Sequence, residues 1–200
     1  CRMNTLRRPQ WIAQMYPGKP GRDHLGLGSV SADQIQPVLS PGINVLTFHP
    51  RYFSFYAFLL DEFWRQDDRP RTRDAWVAFY RPREFIFSLG AQLCDQPEHD
   101  ADMRNIVGGQ KTQPLANERR DSYITTFHYI DSELGGYGLY YRSTMAELGV
   151  IYPGGRGFRY PVDLPTEESG VGLAAAFREA IKGTEYYQRY FTHDETEVPY

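Results

Sequence analysis

The residues that could do chemistry in this 200-residue chain are few, and most lack the spacing that catalysis requires. Residues 108–112 (GGQKT) match the end of a phosphate-binding loop, but Gln110 stands where that loop needs glycine, and Asn105 replaces its upstream glycine. Residues 26–28 (GLG) lack the third glycine and the preceding strand of a dinucleotide-binding fingerprint, so we interpret them as a turn. We therefore reject nucleotide hydrolysis through residues 108–112.

The histidines and acidic residues predict no metal or catalytic site. His128 and Asp131 would share a helical face, as two metal ligands do, but no third ligand accompanies them, so a hydrogen-bonded structural pair is favoured. Three acidic pairs are interpreted as a turn, a helix start and a polar stripe: Asp67-Asp68, Glu167-Glu168 and Asp61-Glu62. Cys94 lies in an apolar pattern without an assigned base, and no GxSxG motif occurs. We predict no catalytic residue, no metal ion and no cofactor.

Arginine is the chemically distinctive residue, with 19 arginines against 3 lysines. Its planar guanidinium suits bidentate contacts with phosphate or carboxylate. Residues 1–22 carry five basic residues and no acidic one, whereas residues 166–200 have a net charge of −4 from seven acidic and three basic residues. We interpret the basic arm as a solvated terminus, with phosphate binding as the alternative. The overall net charge of −3 argues against indiscriminate coating of nucleic acid.

Composition places the chain among folded proteins without a membrane span. Phe, Trp and Tyr number 12, 3 and 15, too many large rings for a disordered chain. No apolar run approaches the length of about 20 residues that a membrane helix needs, and the first residues show no signal peptide. The cysteines, Cys1 and Cys94, form neither a disulfide framework nor a metal-binding pattern, which indicates a reducing compartment. We predict a cytoplasmic protein with no membrane partner.

The stretch RYFSFYAFLLDEFWR, residues 51–65, predicts a central helix that begins after Pro50. On a helical wheel its polar residues fall in one stripe about 100° wide, and they are Arg51, Ser54, Asp61, Glu62 and Arg65. The rest of the surface is aromatic or aliphatic, so this helix should lie at the centre of the domain. Arg51 and Asp61 lie too far apart along this helix to pair with each other, so we expect each to have a partner on another segment.

The flanking segments predict shorter elements. Residues 1–48 are rich in glycine and proline and predict an extended lead-in, with one short helix near residues 31–39. Thr72 predicts the cap of a helix that Pro82 stops, and residues 83–94 predict the next helix.

Further along the chain, glycines separate the predicted helices. Residues 95–115 are predicted to be mostly loop, with a short helix near residues 103–107 as an option. The apolar positions within residues 123–134 lie on one helical face, and two glycines follow them. Residues 138–148 predict another helix, closed by Gly149.

A hairpin followed by a helix is predicted next. Residues 150–152 and 158–162 are the predicted strands, and the PGGRG turn of residues 153–157 joins them. Thr166 then predicts the cap of a helix. The aromatic segment of residues 186–191 is expected to pack back on the core.

Residues 145–151 (MAELGVI), the PGGRG turn and residues 164–170 (LPTEESG) resemble a bacterial winged-helix domain. The resemblance implies DNA binding or protein docking. The predicted reading helix offers one cation, Arg142, beside Glu147 and several tyrosines, which is a poor set for reading base edges. A protein-docking winged helix is therefore at least as well supported as a DNA-binding one. If duplex DNA binds, we expect the contact at the glycine-rich hairpin, called the wing, and the predicted nucleic-acid contacts are Arg156, Arg159, Arg142, Arg119 and Arg120.

The N-terminal part resembles an uncharacterised bacterial family. The matching residues are 23–30 (DHLGLGSV), Pro41-Gly42 and 51–56 (RYFSFY). In that family an LGxG stretch, a Pro-Gly pair and an arginine-tyrosine aromatic helix recur, and some members occur in defence or mobile-element contexts. The resemblance implies no catalytic residue, and it implies a bacterial setting such as anti-phage defence.

These observations predict a mainly α protein with a small β-hairpin. The predicted parts are an extended basic lead-in (1–48), a helical core (49–115) and a winged-helix-like part (116–200). We predict a non-enzymatic, DNA-associated or partner-docking subunit of a bacterial system, with other protein subunits as partners. The alternative is a nuclease or nucleotide-handling enzyme, or a fragment of one, with an unrecognised active site. A buried cluster of acidic residues would favour that alternative.

Overall fold

A computed structural model describes residues 49–93, 106–191 and 196–199, together with residues 35, 38, 47 and 194. The chain divides into two compact units, Cys1–Ile43 and Asn44–Tyr200, and the elements below belong to the second. The predicted lead-in, with its basic arm and short helix, lies almost wholly outside the described residues. Within the described part of the chain, no helix combines the length and the apolarity needed to cross a membrane.

The described unit is mainly helical with two small antiparallel sheets, as the fold-class prediction required. Its helices are α1 (Arg51–Arg65), α2 (Arg73–Leu93), α3 (Gly109–Glu118), α4 (Arg142–Glu147) and α5 (Gly170–Ile181), with π-helices at Tyr137–Tyr141 and Tyr186–Phe191. Its strands are β1 (Ser122–Ile124), β2 (Ile151–Tyr152), β3 (Leu164–Pro165) and β4 (Glu197–Pro199). Strand β1 pairs with β4, and β2 pairs with β3.

Helix α1 forms the centre of the core over the residues that the sequence predicts. Phe55, Tyr56, Leu59 and Phe63 are fully buried, while Phe53 is half-buried. A side chain beyond the helix caps its last turn: the Arg71 guanidinium donates to the carbonyl oxygens of Phe63 and Trp64 at 2.6 and 2.8 Å. The prediction of a central, nearly all-apolar helix is confirmed.

The polar stripe of α1 faces α5 through a charged cluster. Arg178 of α5 donates to Glu62 at 2.7 Å and also bonds Asp61, which in turn accepts a hydrogen bond from Arg65 at 2.7 Å. Burial opposes the charge of Arg178, but its hydrogen bonds to the two carboxylates outweigh that cost and raise its pKa. Asp61 therefore has the partner on another segment that was expected, and Glu62 shares it, whereas Arg65 pairs within α1.

Helix α2 continues through Pro82, so the prediction of two separate helices was wrong. At its start the Ala75 N–H donates to Thr72 Oγ1 at 3.2 Å, which is the capping contact that the sequence predicts. Proline deprives the preceding turn of a backbone donor. The helix nevertheless continues, with buried side chains both before the proline, at Trp76, Phe79 and Tyr80, and after it, at Phe85 and Leu89. Tertiary packing of this kind provides most of the stability of a helix in a protein.

Residues 106–135 depart furthest from the predicted pattern. Helix α3 occupies part of the predicted loop, and Gly108 precedes it in the left-handed conformation (φ 75°). The predicted helix over residues 123–134 is absent, since β1 pairs with β4 and turns follow. Tyr123 is buried whereas Ile124 is exposed, the alternation of a strand. The optional helix near residues 103–107 lies largely outside the described residues.

Residues 138–182 form a helix, a hairpin and a helix in the predicted order. Gly149 (φ 69°) ends α4, and the Val150 N–H closes the turn on the Met145 carbonyl oxygen at 2.8 Å. The return strand is β3 rather than residues 158–162, so the connecting loop is longer than predicted.

Helix α5 begins at Gly170, after the predicted cap. Thr166 Oγ1 accepts a hydrogen bond from the Gly170 N–H at 3.1 Å and itself bonds the Gly149 carbonyl oxygen at 2.6 Å. The acidic pair at residues 167–168 therefore lies in the turn before the helix and not in its first turn. After α5, Phe191 is buried in the core, which confirms the packing predicted for the last aromatic segment.

Candidate nucleic-acid interface

The loop between β2 and β3, residues 153–163, is called the wing here. It folds back on itself: the Gly155 N–H donates to the Tyr160 carbonyl oxygen at 2.8 Å, and the Phe158 N–H donates to the Gly155 carbonyl oxygen at 3.0 Å. Gly155 has φ 115°, which favours glycine. A side chain on Gly154 would collide with the Val162 backbone. The predicted glycine turn thus gives a tight loop closed by its own backbone.

Asp163 fixes the base of the wing to the core. Its carboxylate is buried and accepts hydrogen bonds from the Gly154 N–H at 2.6 Å and the Tyr137 hydroxyl at 2.5 Å. Its backbone carbonyl oxygen accepts from the indole N–H of Trp64, on α1, at 2.8 Å. The wing is therefore tied to the central helix and to the first π-helix.

Arg142, one of the predicted nucleic-acid contacts, completes this anchor. Its guanidinium forms a bidentate pair with Asp163, with Nε 2.7 Å from Oδ2 and Nη2 2.8 Å from Oδ1, and Nη2 also donates to the Gly154 carbonyl oxygen at 2.8 Å. The hydrogen bonds to Asp163 raise the pKa of Arg142 despite its partial burial. Arg142 holds the wing in place.

Helix α4 presents little to a DNA groove. It is six residues long, and two of its side chains, Thr144 and Met145, are buried. Its exposed side chains include Ser143 and Glu147, neither of which is cationic. Groove reading depends on donors such as Arg, Lys, Asn and Gln that reach base edges. The geometry agrees with the poor reading helix that the sequence indicates.

Arg119 and Arg120, also predicted as contacts, lie on the connection from α3 to β1. Arg119 follows α3 in the left-handed conformation (φ 45°). Arg120 is exposed and pairs with Glu118, with Nε 2.6 Å from Oε2. Their role in binding stays a prediction.

Arg156 and Arg159 lie exposed on the wing and differ from most other described arginines in their hydrogen bonding. Within the described residues, neither makes a hydrogen bond or an ion pair, and Arg159 lies over the Tyr160 ring at 5.3 Å. Elsewhere, side-chain hydrogen bonds engage the arginines at positions 65, 69, 71, 73, 81, 83, 120, 142, 178 and 189. The wing therefore carries two positive charges that the described fold does not neutralise.

Aromatic side chains accompany these two arginines. Phe158 lies between them in the sequence and is 56% exposed, and Tyr152 of β2 is 45% exposed. The Tyr152 and Tyr160 rings contact each other with their centroids 5.8 Å apart. The tip of the wing, residues 155–159, thus combines two cations, the exposed Phe158 ring and a glycine-containing backbone, and the exposed Tyr152 of β2 contacts the wing through Tyr160.

Glu84 of α2 is a buried acid that the sequence analysis did not single out. It accepts hydrogen bonds from the hydroxyls of Tyr56, at 2.5 Å, and of Tyr129, and from the N–H groups of Gly136 and Tyr137, both at 3.1 Å. Complete burial raises the pKa of Glu84, against the opposing effect of these hydrogen bonds. Its only sequence signal is an acidic residue among the large apolar side chains of one helix.

Tyr137 links the two buried acids, since its N–H bonds Glu84 and its hydroxyl bonds Asp163. Each carboxylate is surrounded by hydrogen-bond donors, an arrangement that supports a structural role. Among the described residues, no group of three or more His, Cys, Asp or Glu side chains could hold a metal ion.

His128 and Asp131 are hydrogen-bonded, with Nε2 2.9 Å from Oδ1, in an irregular segment and not on the predicted helix. Lys111 also contacts Asp131 at 3.0 Å. The hydrogen bonds from Lys111 and His128 lower the pKa of Asp131. This exposed cluster matches the structural interpretation of the histidine.

Comparison of the chain with protein-family models, with curated proteins and with solved structures finds no match. The winged-helix resemblance and the N-terminal resemblance therefore stay predictions. The geometry of the wing is the structural observation that bears on function.

Proposed function

We propose that this protein is a non-enzymatic, DNA-associated subunit that contacts the phosphate backbone through Arg156 and Arg159 of the wing. The observation that carries the proposal is the contrast between these two exposed arginines and the many arginines that the fold already engages. A guanidinium forms strong charge-assisted hydrogen bonds with phosphate. Two such groups on one anchored loop suit a contact with consecutive phosphates.

The proposed contact is independent of base sequence. Phosphate contacts fix the position of a protein on DNA, whereas base contacts carry sequence information. Arg142 is engaged by Asp163, and the exposed face of α4 offers Ser143 and Glu147, so no donor set for base edges accompanies the wing arginines. We expect similar affinity for duplexes of different sequence.

The test replaces both wing arginines, Arg156→Ala with Arg159→Ala, and measures duplex binding by fluorescence anisotropy over a range of salt concentrations. Affinity should fall about equally for unrelated sequences, and the slope of log K against log salt should flatten by up to about two units. A matched control, Arg65→Ala with Arg189→Ala, removes the same charge from exposed arginines on other elements. The control should bind like the parent.

Two outcomes would contradict the proposal. Unchanged affinity in the wing variant would move the DNA contact elsewhere, first to the basic arm at Arg2, Arg7 and Arg8. An equal loss in the control variant would mean that net charge alone determines binding.

Protein docking is the second candidate function, and one observation favours it. Exposed large apolar side chains occur within the helix–hairpin–helix segment, and they are Leu139, Leu148, Tyr152, Phe158 and Val171. Tyrosine and arginine are also enriched among residues that dominate protein interfaces. Binding of a partner subunit that Phe158→Ala abolishes, with no measurable DNA binding by the parent, would favour docking over the first proposal.

The proposed setting follows from the sequence. A cytoplasmic bacterial protein, with a role in defence against phage, is what the cysteine content and the N-terminal resemblance predict. The alternative of a nuclease or nucleotide-handling enzyme is tested by incubating the parent protein with labelled DNA and divalent metal ions. Cleavage by the parent that persists through purification would favour the alternative.

A further inference from the structure

We infer that the wing binds unpaired bases, so that its preferred ligand is single-stranded DNA, with a base stacked on the Phe158 ring. The inference rests on the proposed function and adds the state of the DNA strand. The observation that carries it is a 56% exposed phenylalanine that lies in the sequence between Arg156 and Arg159, two exposed arginines without a hydrogen bond or ion pair to the described residues. Phosphate contacts alone give no reason for an exposed ring at that position.

The composition of the wing matches what single-strand binding requires. Proteins that bind single strands combine cations, which follow the backbone, with aromatic side chains on which bases stack. Arg156 and Arg159 supply the cations, and Phe158 supplies an exposed ring. Because every base has a flat face, stacking adds affinity without sequence preference.

A pair of contacting rings, Tyr152 and Tyr160, lies on the same hairpin. Tyr152 is 45% exposed and contacts Tyr160, whose ring also lies 5.3 Å from the Arg159 guanidinium carbon. This contact supports one face of Tyr152 and leaves part of the side chain in solvent. Tyr152 is therefore the candidate platform for a neighbouring base.

A duplex cannot use these rings in the same way. Its bases are stacked on one another and show only their edges in the grooves. Access to a ring face requires a base that is unpaired or unstacked, and unstacking a duplex costs free energy. The exposed rings should therefore favour a strand whose bases are already free.

The test compares three labelled ligands of equal length: oligo-dT, an abasic strand with the same phosphates but no bases, and a duplex. Anisotropy should show that the parent binds oligo-dT about 5- to 150-fold more tightly than the abasic strand, the range expected for stacking of one base. Oligo-dT should also bind more tightly than the duplex. Phe158→Ala should remove the preference for oligo-dT over the abasic strand.

Two further variants separate stacking from general apolarity. Phe158→Leu keeps an apolar side chain but removes the π face, so it should lose most of the preference for bases. Ile124→Ala removes an apolar side chain that is 63% exposed on β1, a strand of the other sheet, and should bind like the parent. Thermal melts of all variants check that the fold is kept.

The outcomes distinguish this inference from the proposed function. The stacking inference is wrong if Phe158→Ala or Phe158→Leu keeps the full preference for oligo-dT. It is also wrong if the parent binds the abasic strand or the duplex as tightly as oligo-dT. The proposed phosphate contact is not contradicted by either outcome. If the double variant at Arg156 and Arg159 binds all three ligands like the parent, the proposed function itself fails.

Discussion

The core around Glu84 and the tip of the wing both contain charged and aromatic side chains. These side chains are hydrogen-bonded to one another in the core and exposed at the tip of the wing. In the core, charged groups and tyrosine hydroxyls bond one another: Glu84 accepts from Tyr56 and Tyr129. At the wing tip, Arg156 and Arg159 are exposed beside exposed rings. Engaged polar groups hold a structure together, whereas exposed charges remain available for a ligand. The comparison teaches that position in the fold, and not residue type, decides whether a charged or aromatic side chain is engaged or exposed.

Asp163 connects the two regions. It receives the Tyr137 hydroxyl from the core side and the Gly154 N–H and the Arg142 guanidinium from the wing side. A loop held at its base in this way presents its tip in a defined position, which reduces the entropy lost on binding. The hydrogen bonds of Asp163 therefore fix the position in which the fold presents the tip of the wing.

The largest expected effect is that of Glu84→Ala, which breaks the engaged region. Two hydroxyls and two backbone N–H groups lose their acceptor, at a cost of about 1–3 kcal/mol for each buried group left unsatisfied. Because total stability of a domain is about 5–15 kcal/mol, we expect most of the fold to be lost at 25 °C. Circular dichroism and urea unfolding measure this.

Glu84→Gln is the matched control for that variant. It keeps the shape and one carbonyl acceptor, so it should unfold at a lower urea concentration than the parent but at a higher one than Glu84→Ala. A Glu84→Ala variant as stable as the parent would contradict a structural role for the buried acid.

The next largest effect is expected for Phe55→Ala, which tests the apolar part of the same region. Phe55 is fully buried on α1 and stacks on Phe87 with the ring centroids 4.3 Å apart. Removing a buried phenylalanine ring costs about 3–5 kcal/mol, so the thermal midpoint should fall sharply. The exposed Phe158, replaced by alanine, serves as the control and should change the midpoint little. A melt of Phe55→Ala that matches the parent would contradict the central position of α1.

Local sequence patterns predicted correctly those elements that are determined by their own residues. Helix α1 follows from its apolar surface, and the turn at Gly149 follows from a glycine that can adopt positive φ. Pro82 misled the prediction because buried side chains on both sides of it, from Trp76 to Leu89, pack α2 into the core, and this packing is not visible in the local sequence. Strand β1 was missed because its partner, β4, lies more than 70 residues away in the chain.

The candidate site was predicted in part for the same reason. The PGGRG turn marks Arg156 locally, so its exposure on a loop could be expected from sequence. Arg142 was predicted as a contact, but its partner Asp163 lies 21 residues further on, and no local pattern joins the two. Glu84 gathers donors from three segments, which a linear pattern does not bring together.

The pH dependence of stability provides a third, smaller test of the engaged region. Burial raises the pKa of Glu84 above its ordinary value of 4.5, so the folded state binds more protons than the unfolded state above that pH. The contribution of Glu84 to stability therefore decreases as pH rises from about 4.5 towards its raised pKa. Urea unfolding at several pH values should show a smaller decrease for Glu84→Gln than for the parent. Parallel curves for the two proteins would contradict the raised pKa.

The smallest expected effect on stability separates the two kinds of arginine directly. Arg156 and Arg159 are exposed and make no ion pair within the described residues, so replacing both with alanine should change the free energy of unfolding by no more than about 0.5 kcal/mol. Arg142→Ala leaves the buried Asp163 carboxylate without its bidentate partner and should cost about 1–3 kcal/mol. Urea unfolding of the three proteins at constant pH gives both numbers. If the wing variant were the less stable one, its arginines would be structural, and the division between engaged core and exposed wing would be wrong. If Arg142→Ala left the free energy of unfolding unchanged, the pair of Arg142 with Asp163 would not hold the wing in place. The arginines of the wing would then lie on a loop that is not fixed to the core.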